Sequence, residues 1–434
     1  MKKLSTKSIQ SQLILYFTIA ILVSSIITGM VGVKIIQHQI YTRAETKTIS
    51  DLNSAREIYR NKISQIENIA RLTAARSLIV KAVIENNSTF LQKDLQRTLL
   101  REKLDILTIV DKNGKVISRG HNGSVLGDDL KEDKLISRTI TTKRLTNGTD
   151  IVSREYLMRE SPELAAQALM DVIPTPKAKP HKDKQESSGI MLKTAVPILD
   201  DQGNFLGVLL GGILINRNFE IVDKIKEVVH EGEVYKGREI GTATIFQGDL
   251  RISTNVKNED GTRAISTLVS EEVYDSVLSG GRRYVGEAFV VNALYISAYE
   301  PIRDIDNNII GILYVGVLEQ PFEDILKNTL AIFLGIALLG IVLIITVAVN
   351  QAKRISTPLK KIENAANNIA EGNYNQTITV HAAREIEHLA ASLNQMAKEL
   401  ERKKLEIEEW GNTLEKKVLE RTEEIKKIHS QLFR

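Results

Sequence analysis

The residues best suited to metal or acid–base chemistry are the seven histidines, His38, His121, His181, His230, His381, His388 and His429, and their spacing argues against such a role. None forms a His-x-x-His pair or an HExxH motif, so no two imidazoles are set to share a metal from one helix turn. His381 and His388 share a helix face only if the helix starts by residue 381. The sequence has no Walker-type phosphate loop and no Gly-x-Ser-x-Gly elbow. It also has no cysteine, which excludes disulfides and thiolate metal sites. Catalysis, a metal and a cofactor are therefore not expected within these residues.

Binding chemistry is easier to place. Arg138, Arg144, Arg154 and Lys193 are the candidate cations of one region. Guanidinium groups grip a carboxylate through two parallel hydrogen bonds, so these four point to a small anionic ligand. Arg263 and Tyr295 are a second set, beside Tyr284 and Tyr299. These tyrosines alternate at strand spacing, which suits a core face as well as a ligand wall.

Two runs determine where the elements holding these residues lie. Residues 13–33, LILYFTIAILVSSIITGMVGV, and 329–349, TLAIFLGIALLGIVLIITVAV, carry no charge and are apolar on every face. Each is 21 residues long, and about 20 suffice to cross a bilayer. The flanking cations set the orientation. Lys2, Lys3 and Lys7 precede the first run, and Lys353, Arg354, Lys360 and Lys361 follow the second. The other flanks hold Lys34, and Lys327 diluted by Glu323 and Asp324. The expectation is a multi-pass protein of the inner (plasma) membrane, surrounded by lipid, with both termini cytoplasmic. It divides into a tail (1–12), spans at 13–36 and 328–350, and an outer region of 37–327. The first span is too long for a signal-peptide core and lacks a convincing cleavage site, so it is read as retained. A transporter is disfavoured, because neither span carries a charged residue at mid-membrane to line a path. The net charge of +4 is spread along the chain without aromatic interleaving, which argues against nucleic-acid binding.

The outer region opens with a helical seam, Leu52, Ala55, Tyr59, Ile63, Ile66 and Ala70. Residues 105–120, DILTIVDKNGKVISRG, then read as a hairpin around Asn113-Gly114. Residues 161–170 open as a helix, with Ser161 as N-cap, Pro162 first and Glu163 in the first turn. Residues 174–188 have the composition of a surface loop. The strongest clue is a repeat. PILDDQGNFLGVLLGGIL at 197–214 aligns with PIRDIDNNIIGILYVGVL at 301–318, matching Pro197 to Pro301, Gly207 to Gly311 and Gly212 to Gly316. Earlier hairpins at 110–118 and 246–253 complete two modules, about 85–220 and 235–320. This arrangement resembles the double Cache sensor family, in which a long helix leaving the membrane carries two PAS-like α/β modules. The resemblance covers about 40–320 and is strongest from 240 on. It implies recognition of a small extracytoplasmic molecule, usually in the membrane-distal module.

Beyond the second span, Ile355, Leu359, Ile362, Ala366 and Ile369 alternate spacings of four and three, as a coiled-coil seam does. Gly372 ends that helix, and a second seam runs Ile386, Leu389, Leu393, Met396 and Leu400. Residues 351–403 resemble the HAMP linker domain, with Pro358 near the start, Ile362 in the seam, Gly372 after the first helix and Glu385 opening the second. They depart from the family's Asp-Glu-apolar-Gly opening, reading Arg384-Glu385-Ile386-Glu387. The resemblance implies a homodimer joined by a parallel four-helix bundle. The seam continues through 404–434 as an all-α coiled coil, with a stutter between Leu414 and Val418.

The last stretch, EKKVLERTEEIKKIHSQLFR, resembles the helix that leads into the phosphoacceptor domain of membrane sensor histidine kinases. His429 is followed by Ser430 rather than an acid, so it does not match the phosphorylated histidine. The resemblance implies the sensory front half of such a kinase, with its catalytic domains absent from these residues. A downstream kinase domain or response regulator is the expected partner if the protein continues. A chemoreceptor, a cyclic-dinucleotide cyclase front end and a stand-alone receptor or adaptor are the competing outputs.

Overall fold

The computed structural model describes residues 9–432 apart from 182 and 292. The chain divides into two compact units, Ile36–Lys327 and the two segments flanking it. Lys2, Lys3 and Lys7, used above for orientation, lie outside the described residues.

In the first unit, one face of the helix Ile9–Ala74 buries Leu52, Ala55, Tyr59, Ile66 and Ala70 completely or nearly so. These are five of the six expected seam residues, and the sixth, Ile63, packs at the edge of the same core. The helix stops where Arg76 turns extended, its guanidinium held by Asp94 and Thr98. Two five-stranded antiparallel sheets follow. The strands of the first, in chain order, are Ile106–Asp111, Val116–Arg119, Thr146–Val152, Gly189–Leu199 and Phe205–Leu214. Those of the second are Gly241–Gln247, Leu250–Thr254, Tyr284–Val290, Ala293–Arg303 and Ile309–Leu318. Numbered one to five within its own sheet, each set lies in the same spatial order, 2-1-5-4-3. The repeat seen in the sequence is thus the fourth and fifth strands of each copy.

The matched glycines have a steric reason. A Cβ on Gly207 would sit 2.1 Å from the Val110 carbonyl oxygen, and one on Gly311 would sit 2.2 Å from that of Phe246. In both copies the first and fifth strands approach too closely for any side chain there. The Asn113-Gly114 turn is as expected: Gly114 has φ +84, and Asp111 Oδ1 accepts from the amides of Asn113 and Lys115. The helix Pro162–Ala168 also begins where expected, but the Ser161 hydroxyl donates to Glu163 instead of accepting from the backbone.

One face of both sheets packs on the long helix in a single apolar core. The opposite face of each is covered by its own helices and loops in a separate core. Helix Lys134–Thr142 lies over the first sheet, started by Asp133, whose Oδ1 accepts from the amides of Leu135 and Ile136.

In the second unit, the helices Ile9–Ala74 and Gln320–Ala370 each contain an 18-residue window apolar enough to cross a membrane, with mean hydropathy 2.2 and 3.1. The ring of Phe333 lies against Gly29 and Gly32. The helix Gln320–Ala370 carries both the apolar span and the first seam. It ends on Gly372 in the left-handed region, with the Asn373 amide bonded back to Asn368, a glycine stop. Asn394 then clips the connector to the helix Arg384–Leu432, exchanging two hydrogen bonds with the Ile378 backbone.

Candidate functional site

The four cations read together in the sequence do not converge. Arg138 is exposed and reaches across to the second sheet's closing turn, donating to the Ile305 carbonyl at 3.0 Å and to Asp306 at 2.7 Å. Arg144 and Arg154 are exposed on the surface of the first module. Lys193 alone is buried, 1% exposed, and its ammonium lies 2.5 Å from Asp133 and 2.7 Å from Asp150. Burial alone would lower its pKa, but the two carboxylates outweigh it and the group is held above the ordinary lysine range. Nearby, Arg119 is fully buried and bridges Glu160 and Asp128. Both of these buried cations of the first module are therefore already neutralised by protein carboxylates.

The second set also separates. Arg263 makes a bidentate pair with Asp223 at 2.8 Å and lies over the Phe219 ring, a brace between the loop after Leu250–Thr254 and the helix Glu220–His230. Tyr295 is buried in the apolar core behind the second sheet, with Tyr299 and Tyr314. Tyr299 stacks 4.6 Å from Tyr314 and meets Tyr284 edge-on at 5.8 Å.

Arg251 is not among the cations that the sequence singles out. It stands in the second strand of the second sheet, between Leu250 and Ile252, which face the long-helix core. Strand alternation turns Arg251 to the opposite face. There it is 5% exposed, and its Nε and Nη1 are buried with no hydrogen-bond partner among the described residues. No carboxylate pairs with it among the described residues, and its guanidinium lies 5.2 Å from the Phe246 ring. Burial pulls its pKa below the ordinary arginine range. In the first sheet's register Val116 fills the same place, opposite Val110 as Arg251 is opposite Phe246. The second copy thus has a charge where the first has an isopropyl group.

Arg251 lines a cavity of about 800 Å3. Its walls include Tyr284, Tyr299, Val290, Leu268 and Pro174. Glu271, Glu272 and Glu287 also line it. Glu287 is held above the usual carboxylate range by burial and by the neighbouring Glu319. Part of the wall comes from the long loop after the first module's helices. The Ile173 amide donates to Ser266, Thr175 Oγ1 accepts from the Leu268 amide at 2.8 Å, and the Glu271 amide donates to the Lys177 carbonyl at 2.8 Å.

Comparison with known proteins bears on both units. Residues 213–329 match the family model described as Single cache domain 3, and residues 351–402 match the HAMP domain. No curated protein matches the chain. Solved structures similar to it include the periplasmic domain of Vibrio cholerae LuxQ, at 12% identity over 62% of this chain and 98% of that one, TM-score 0.37. The sensor domain of the V. cholerae histidine kinase DctB is 10% identical over 64% and 98%, TM-score 0.36. The ligand-binding domain of the Pseudomonas aeruginosa amino acid chemoreceptor PctB, in complex with L-Gln, is 13% identical over 68% and 98%, TM-score 0.34. The family matches define the class: the chain is a transmembrane sensor, with a Cache module before its second apolar helix and a HAMP domain after it.

Proposed function

We propose that the protein is a homodimeric receptor of the inner membrane, with 37–327 outside and both termini in the cytoplasm. It senses a small extracytoplasmic ligand and relays occupancy through HAMP and the coiled coil to a histidine kinase of a two-component system. The observation that carries this reading is the single helix Gln320–Ala370, which joins an apolar span to a HAMP seam without a break. A shift, tilt or rotation of the span is then a shift of the seam itself. The dimer is supported by exposed apolar surface. Leu389 and Met396 are 49% exposed in the single chain, and Trp410 is 81% exposed. A charged helix with an apolar stripe of this kind is stable when a second copy covers it. Two short heptad helices per chain bury little surface, so such a bundle has alternative packings that a ligand can bias by about 1–3 kcal/mol.

A charge in the seam tests the relay. Ile362 is 7% exposed within the single chain. In a chimera carrying a histidine kinase core after residue 434, Ile362→Glu is expected to abolish ligand control of autophosphorylation while leaving the full-length protein's ligand affinity within about twofold. Loss of affinity of about tenfold or more would show that sensor and relay do not act as separable parts.

A further inference from the structure

We infer that the cavity at Arg251 is a binding site for a small monocarboxylate with an apolar body, closed on one side by a strap from the neighbouring module. This rests on the reading that the outer region receives a small molecule.

A buried cation with neither a carboxylate nor a hydrogen-bond partner is a large uncompensated cost in a folded protein. Arg119 and Lys193, buried to the same degree in the first module, each have two carboxylates. Arg251 has none among the described residues, although it faces a cavity of about 800 Å3. A ligand carboxylate arriving there would meet a planar fork of unpaired donors on a guanidinium that is itself 5% exposed, where a charge-assisted pair is stronger than in open water. The rest of the ligand would lie against Leu268, Val290 and the ring of Tyr299. The rim supplies the specificity: Glu271, Glu272 and Glu287 outnumber the one rim cation, Lys177, and would repel a second carboxylate at the far end of the molecule.

Residues 173–177 are the strap. They leave the first module and are stitched to 266–271 by three backbone-anchored hydrogen bonds, placing Pro174 and Pro176 in the cavity wall. Lys179 continues the attachment, pairing with Asp275 and lying over the Tyr274 ring. The site is therefore assembled from both modules, and its occupancy would tighten the contact between them.

The test uses the full chain in lipid nanodiscs, with hexanoate and hexanedioate as probes. Hexanoate is expected to bind by calorimetry, and hexanedioate about tenfold more weakly or worse. Arg251→Met is expected to weaken hexanoate about 100-fold. The same variant, without ligand, is expected to melt at a higher temperature than the wild type, because it removes an unpaired buried charge; an arginine serving only the fold would give the reverse. Hexanoate binding unchanged in Arg251→Met would overturn this site while leaving the receptor reading intact. A lower melting temperature for Arg251→Met, no hexanoate binding to the wild type, or equal binding of the two acids would each overturn it as well.

Discussion

Lys193→Met is expected to destabilise the sensor region by about 3–5 kcal/mol, as measured by chemical unfolding of the purified chain. The lysine lies on the fourth strand of the first sheet, and its ammonium sits between Asp133 and Asp150. Those carboxylates are 3% and 11% exposed, so water cannot replace it. Methionine fills most of the volume and leaves two like charges facing each other in low dielectric. Adding Asp133→Asn and Asp150→Asn in the same background is expected to recover most of the loss. An asparagine in place of Asp133 would still cap the helix that the aspartate starts, and no charge would remain to be neutralised. Failure of the triple variant to recover would mean that packing, and not charge, holds this corner. Lys193 and Arg251 thus make opposite forecasts from equal burial: removing the paired cation destabilises the fold, and removing the unpaired one stabilises it.

A second large effect is expected with acid. His230 ends the helix Glu220–His230, is 4% exposed, and its Nε2 has no hydrogen-bond partner among the described residues. A Cβ on Gly241 would lie 1.8 Å from the imidazole, so only glycine leaves room for the ring. Burial, with a smaller contribution from the Lys47 charge, pulls its pKa down from 6.5 to about 4. The unfolded chain therefore takes up a proton near pH 6.5 that the folded chain resists until about pH 4. Stability contributed by the neutral ring is complete above pH 6.5 and is lost as pH falls toward 4. The loss is about 3 kcal/mol across that window. In unfolding measurements from about pH 7 to 4, His230→Leu is expected to remove that slope relative to the wild type. Parallel curves would show that the ring takes up its proton as readily in the fold as in the unfolded chain.

The sequence made the long-range plan of the outer region readable because its signals are local. Hairpin turns such as Asn113-Gly114 and the three-four spacing of Leu52 to Ala70 depend on a few adjacent residues. The repeat of 197–214 at 301–318 carried the sheet topology, since strands with matched glycines must meet matched neighbours. The site was not readable in the same way. Arg138, Arg144, Arg154 and Lys193 are all cations in one module, but whether a cation is free depends on carboxylates distant in sequence, such as Asp133 for Lys193 and Asp306 for Arg138. Arg251 was concealed by its own pattern. A polar residue between Leu250 and Ile252 reads as the wet face of an edge strand, and only the cover formed by 174–177 and 267–272 makes that face an interior. In the HAMP segment the single chain buries Ala352, Pro358, Ile362, Ala365 and Ile369, one position off the expected seam at Leu359 and Ala366. Heptad spacing marks the stripe meant for all helix partners, and the single chain supplies only one of them.

The central claim is that a second copy covers this stripe, and the absence of native cysteine makes it directly testable. Single cysteines would be placed at Leu359, Ile362, Ala366 and Ile369, and at Lys360, Glu363 and Asn367 as outward controls, in the full chain in native membranes. After mild oxidation, disulfide-linked dimers are expected at the first four positions and not at the controls. Equal cross-linking at all seven, or none at the seam, would contradict a parallel HAMP dimer and with it the proposed route of the signal.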